Sequence, residues 1–218
     1  LGWRTVRGLL ATFLPLVCMG LIIASLGTDS WYSMHYLDSS RNDAGFWMEH
    51  NVTYGLTDFQ YQAVWSDILG QNYIQINQTS TGKLGELGDY MQVSLILLLA
   101  FQVPLVIGGF LSSLDRLKRT MPILLALLVF CGLLFPAVYY PISIPDIASE
   151  HAEEGFPPAG ILLNNTTLKE LKDSSEPGIS YWLLVAALPF PFISMLLFID
   201  PPREREPSAS RLRSKFFR

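Results

Sequence analysis

The sequence predicts an all-α membrane four-helix bundle that carries a small extracellular antiparallel β-sheet. Three observations predict it. Of the 218 residues 50% are hydrophobic, and the mean hydropathy is +0.32. The apolar residues gather into four blocks instead of recurring at a strand or helix period, which is how membrane spans read. Basic residues are also distributed unevenly among the segments between the blocks.

The blocks cover 8–28, 90–114, 121–145 and 178–199, and none contains Asp, Glu, Lys, Arg or His. Each reaches the ~20 residues that a helix needs to cross a ~30 Å hydrocarbon core. Helices are the one open-chain way to satisfy backbone polar groups there. The first block has Arg4 and Arg7 before it and small residues near its end, so a cleaved signal peptide is the alternative to a span. A single membrane domain over 1–218 is expected.

Charge sets the expected orientation. Of the 15 Lys and Arg, only Arg41, Lys83, Lys169 and Lys172 fall in the two long polar segments, 29–89 and 146–177. All but Asp115, Asp200, Glu204 and Glu206 of the 19 acidic residues fall there. The positive-inside rule then puts both termini, the 115–120 link and the tail 200–218 in the cytoplasm, and the long segments outside, at the cell surface. The sequons beginning at Asn51, Asn77, Asn164 and Asn165 all lie in the proposed outer segments. With a formal net charge of −4 and this asymmetry, nucleic acid is not an expected partner. Cys18 and Cys131 both lie in spans, so no disulfide staples the outer segments.

Within the spans, Gly20 and Ala24 sit four apart, as do Gly108 and Ser112, and Gly109 and Ser113. Small residues at this spacing let helix backbones approach, inside the bundle or between two copies. Pro104, Pro136, Pro141, Pro189 and Pro191 are expected to bend their helices, or to mark an unwound transporter helix, for which the sequence offers few polar partners at the break. The link "DRLKRT" makes the second and third spans antiparallel neighbours. In the larger outer segment "SWYSMHYL", "FWMEHNVTYGL" and "NYIQINQT" read as strands. Trp31, Trp47, Trp65, Tyr73 and Tyr90 are expected to supply the sheet's apolar face and an interfacial belt. A short helix is expected near Leu168–Lys172.

This layout resembles the claudin and peripheral-myelin-protein superfamily. That family carries a Trp soon after the first span and then a Gly-Leu-Trp triplet. Here Trp31 follows the first span and Gly45-Phe46-Trp47 stands in the triplet's place. The resemblance implies that Trp31 and Trp47 anchor the outer sheet to the bundle. It also implies roles in adhesion, paracellular barriers or channel regulation. The family's cysteine pair after the triplet is absent here, and the end "SKFFR" is not the C-terminal scaffold-binding signal of many claudins.

Catalysis finds little support. Spans without ionisable groups argue against a self-contained pump or secondary transporter. Gln92 and Gln102 are the only long polar side chains in the blocks, and interhelical hydrogen bonds suit them. No nucleophile elbow, His-Glu-x-x-His or phosphate loop is present. His35, His50 and His151 are the weak metal candidates, with Met34, Met48 and the nearby glutamates, but their spacing matches no recognised ligand set. No cofactor is expected. The tail "RLRSKFFR" either lies on anionic inner-leaflet lipid, at about 1 kcal/mol per basic residue, or only enforces topology. The expectation is a non-enzymatic membrane protein for extracellular contact, acting on itself or on another membrane protein. An accessory subunit of a larger transport or enzyme complex, and a metal-handling membrane protein, are the alternatives.

Overall fold

A computed structural model describes residues 3–38, 47–67, 70–114, 117–153 and 175–199. Four helices are long and apolar enough to cross a membrane: Val6–Leu26, Gly82–Ser113, Thr120–Ala148 and Ile179–Phe198. The first belongs to α1 (Trp3–Leu26), the second is α2 (Gly82–Ser113) and the third lies in α3 (Thr120–Glu153). The fourth is a pair, α4 (Ile179–Ala187) and α5 (Pro189–Phe198), separated at Leu188. Leu188 itself keeps helical angles, φ −55° and ψ −45°. The break is one of hydrogen bonding: Pro189 and Pro191 have no N–H to continue the ladder, so the rod is not unwound there.

α1 packs against α2 and against α4 and α5, while α3 packs against α2 and α5. The prolines explain two of the cross-links. A proline inside a helix leaves the carbonyl four residues earlier without its N–H. Pro15 frees the carbonyl of Ala11, and the Ser194 hydroxyl of α5 donates to it at 2.7 Å. Pro141 frees the carbonyl of Ala137, and the Tyr181 hydroxyl of α4 donates to it at 2.9 Å. In hydrocarbon such a group has no water to turn to, so a neighbouring helix must answer it. Ser25 Oγ adds a third link, donating to the Ser180 carbonyl at 2.8 Å.

Gln102 departs from this satisfaction, as do the buried hydroxyls of Ser112 and Tyr140, which have no partner among the described residues. Gln102 is 0% exposed, its Nε2 donates to Cys18 Sγ at 3.1 Å, and its Oε1 has no partner among the described residues. Turning the amide over would only exchange which end is left unpaired. A thiol bond is weak and an unpaired buried polar atom costs about 1–3 kcal/mol. Gln102→Leu is therefore expected to stabilise the bundle by about 1 kcal/mol, read by unfolding in mixed detergent micelles. A loss of stability would mean that the glutamine has a partner in the membrane.

α2 and α3 run further than the charge-free blocks. With 34 residues α3 is about 51 Å long, well beyond a ~30 Å hydrocarbon core. Lys83, Glu86 and Asp89 mark the part of α2 that lies past the apolar block, and Asp146 and Glu150 that of α3. Lys83 Nζ meets Glu150 Oε1 at 2.6 Å and Oε2 at 2.8 Å, so the two extensions are joined.

A five-stranded sheet rests on these extensions. Its strands are β1 (Tyr32–Asp38), β2 (Trp47–Tyr54), β3 (Asp58–Asp67), β4 (Gly70–Thr79) and β5 (Ser175–Pro177). The order is β4-β3-β2-β1-β5, and every pairing is antiparallel. Alternate residues on one face are buried: Tyr32 and Met34 on β1, His50, Val52 and Tyr54 on β2, and Phe59, Tyr61 and Ala63 on β3. The register places these opposite one another, as in Tyr32↔Tyr54 and Val52↔Tyr61. They join one core with Leu84, Leu87 and Met91 of α2 and Tyr140, Ile144 and Ala148 of α3.

Three strands fall where the sequence places them, and β3 and β5 are additional. Tyr73 differs from expectation. It is 72% exposed, because Ile74 and Ile76 take the inward positions of β4 and period 2 turns Tyr73 outward. Tyr90 is 71% exposed on α2. The expected helix near Leu168–Lys172, the 115–116 part of the α2–α3 link and the tail 200–218 lie outside the described residues.

Candidate contact surface

The junction of sheet and bundle is built around Trp31. Its indole is 0% exposed and meets the Tyr140 ring edge-on, with centroids 5.4 Å apart. Its backbone ties three elements together. Trp31 N donates to the Tyr54 carbonyl at 2.9 Å, and Gly178 N donates to the Trp31 carbonyl at 2.9 Å. Next to it, Ser180 N donates to the Ser30 carbonyl at 2.9 Å. The first turn of α4 is thus pinned to the start of β1. Tyr32 adds a hydroxyl bond to Ser175 Oγ of β5 at 2.5 Å.

Trp47 opens β2, and its backbone pairs with Ser66. Tyr54, at the other end of β2, is the residue beside Trp31, so the two tryptophans mark opposite ends of the β1–β2 pair. Gly45 and Phe46 lie outside the described residues, as do Asn164 and Asn165.

The histidines are separated by strand parity. His35 is exposed on the solvent face, where its Nε2 meets Glu49 Oε1 at 2.9 Å. His50 is buried on the inward face, with Nδ1 2.8 Å from the Tyr61 hydroxyl. His35 pairs with Asn51, one residue out of phase with His50, so the two rings occupy opposite faces. His151 lies in the last turn of α3. Among the described residues no three His, Cys, Asp or Glu side chains are grouped to hold a metal ion. Burial pushes the Tyr61 phenol up to about 12 and raises that of Tyr54 as well, so both stay protonated at neutral pH.

On the solvent face the His35 hydrogen bond, followed by that of Asn51, holds the Glu49 carboxyl below its usual range. A depressed carboxyl contributes stability above its unfolded pKa, about 4.3, and loses it as the pH falls through the folded value. The pair is exposed, so its worth is about 0.2–1 kcal/mol. Glu49→Gln is expected to lose up to ~1 kcal/mol at pH 7 and less at pH 3, measured by denaturant unfolding. Equal losses at both pH values would place the effect elsewhere.

The same face carries the described sequons. Asn51 lies in mid-sheet, half-buried, and donates to Glu49 Oε1 at 3.3 Å. Asn77 is exposed on β4, the edge strand. A cross-strand row of polar residues leads to it: Glu176, Ser33, Thr53, Gln60 and Asn77 pair in turn across all five strands. In the spans, Gly20 and Ala24 are exposed on α1, and a methyl group added at Gly20 would meet nothing within 4 Å. Gly108 and Ser112 are buried, and so are Gly109 and Ser113. A methyl at Gly109 would come within 2.9 Å of the Phe198 ring and 3.0 Å of Thr12 Oγ1, so this part of α2 approaches α1 and α5 closely.

Two close approaches give no signal in the sequence. A Cβ at Gly88 would overlap the Leu56 carbonyl oxygen, and one at Gly178 would overlap that of Ser30. Both glycines lie where a helix touches the backbone of the sheet's loops. No protein-family model matches this chain, and no curated protein matches it either.

Proposed function

We propose that the chain is a non-enzymatic integral membrane protein whose sheet is held outside the cell to make contact with another membrane protein or with a second copy of itself. The carrying observation is the way the sheet is mounted. Its inward face is packed on α2 and α3, its outward face is open and polar apart from Val64 and the exposed Tyr73, and backbone bonds through Trp31 fix it to α4. A surface built in this way presents a fixed shape to a partner. The bundle supports the same reading. Its buried polar groups among the described residues are hydroxyls and one amide, which serve packing and not ion transfer. The proposed outer side follows from the positive-inside asymmetry. Adhesion, barrier formation and regulation of a neighbouring channel are the forms of contact that the claudin-like layout suggests.

The test is purification from native membrane in mild detergent, with mass spectrometry of everything that co-elutes, and aggregation of vesicles that carry the protein. A stoichiometric foreign chain gives the regulatory form, and a higher self-oligomer with vesicle aggregation gives the adhesive form. A lone monomer that leaves vesicles dispersed at every density would end the proposal.

A further inference from the structure

A cleft of about 290 Å³ opens beside the solvent face of the sheet. It is lined by Asp29 and Ser30 from the α1–β1 connection, Thr53 and Gly55 of β2 and its turn, Asp58 and Gln60 of β3, and Asn77 of β4. Its volume lies at the lower end of the ~300–1,000 Å³ range of small-ligand sites. Thr53, Gln60 and Asn77 form its cross-strand floor, since Thr53 pairs with Gln60 and Gln60 with Asn77. Asn77 is also the first residue of the sequon Asn77-Gln78-Thr79, and Thr79 pairs with Asp58 at the cleft's other side.

We propose that an N-linked glycan on Asn77 seats its first sugars in this cleft. The proposal rests on the outward orientation of the sheet given above. In the modification, Asn77 Nδ2 forms a bond to C1 of the first sugar of a lipid-diphosphate-linked oligosaccharide. That sugar's C1–O bond breaks, and the lipid diphosphate leaves with the amide proton. The lining suits a sugar: two carboxylates accept hydrogen bonds from hydroxyls, and a hydroxyl and an amide both donate and accept. Because the sugar is tethered to a residue of the lining, it needs no free-ligand affinity, and a few hydrogen bonds suffice to hold it. Asn51 offers no such seat, since it stands in mid-sheet between His35 and Gln62 with its amide already bonded to Glu49.

The experiment uses the full chain made in glycosylating cells, with peptide mass spectrometry at each sequon and amidase removal of glycans before and after denaturation. Sugar is expected on Asn77, removed slowly from the folded protein and readily after unfolding. Asp29→Ala with Asp58→Ala is expected to speed native removal by about tenfold, the scale of one or two hydrogen bonds. Gln60→Ala, on the exposed face, is expected to speed it by a lesser factor and guards against misfolding of the double variant. Equal native rates in all three proteins would overturn the seat. An unmodified Asn77 beside sugar on another sequon would overturn it too, while leaving the orientation standing. Sugar on none of the four sequons would overturn both.

Discussion

Trp31→Ala is expected to cost about 3–5 kcal/mol, the range for removing a large aromatic from a packed core. The indole is fully buried where sheet, α3 and the start of α4 meet, and its loss removes both the apolar area and the edge contact with Tyr140. The damage is expected to be local. Hydrogen exchange should quicken first in β1, β2 and the first turn of α4, because the bonds from Trp31 to Tyr54 and from Gly178 to Trp31 share the disturbed backbone. The apolar parts of α1 and α2 should stay protected. Nε1 has no partner among the described residues, so Trp31→Phe loses no hydrogen bond and keeps an aromatic edge against Tyr140. It should therefore cost much less than the alanine variant. If both variants cost the same, the indole N–H and not the ring would be the anchor.

Gly88→Ala is the second large expectation. The added methyl would overlap the Leu56 carbonyl oxygen; the oxygen belongs to the backbone and the Cβ is fixed by the helix, so neither can turn aside. The β2–β3 turn around Leu56 is held by Gly55 N to the Asp58 carbonyl at 2.8 Å and Ser80 N to the Thr57 carbonyl at 2.8 Å. Relief therefore requires α2 to move off the sheet. A cost at or above the top of the usual ~1–3 kcal/mol for overpacking is expected, with the sheet loosened while the bundle remains helical. Gly20→Ala is the matched control, since that position is open. On helix propensity alone it should gain up to about 1 kcal/mol. Near-ultraviolet dichroism and thermal unfolding in detergent distinguish the two. A Gly88→Ala protein as stable as the parent would show that the helix and the turn are not in contact.

The spans were legible because lipid imposes a simple demand: about twenty residues without charge. That demand reports where the solvent changes, not where hydrogen bonding ends. By that demand the extensions 82–89 and 146–153 fall in the outer segments, and both continue the helices. They stay helical because Leu84, Leu87 and Ala148 bury against the sheet, a tertiary fact. Strands β1, β2 and β4 showed themselves through aromatic and β-branched residues. β3 alternates Phe59, Tyr61 and Ala63 with glutamines, a fainter pattern, and three-residue β5 exists only because β1 lies beside it. Of the junction, Trp31 could be picked out from its place after the first span. Tyr140 could not, being one aromatic among several in an apolar run. The parity that separates His35 from His50 needed the β1–β2 register.

The two prolines whose lost bonds are answered from α4 and α5 also bear on how the chain is assembled. A chain is made from its N-terminus, so Pro15 and Pro141 are in place before Tyr181 and Ser194 exist. For that interval Ala11 and Ala137 present open acceptors to the space that the last span will fill. The two hydroxyls lie 13 residues apart, close to 20 Å along the rod, and they must find both acceptors at once. Sliding the last span by one turn would miss both. The early helices thus carry a two-point gauge that admits the final one at a single depth.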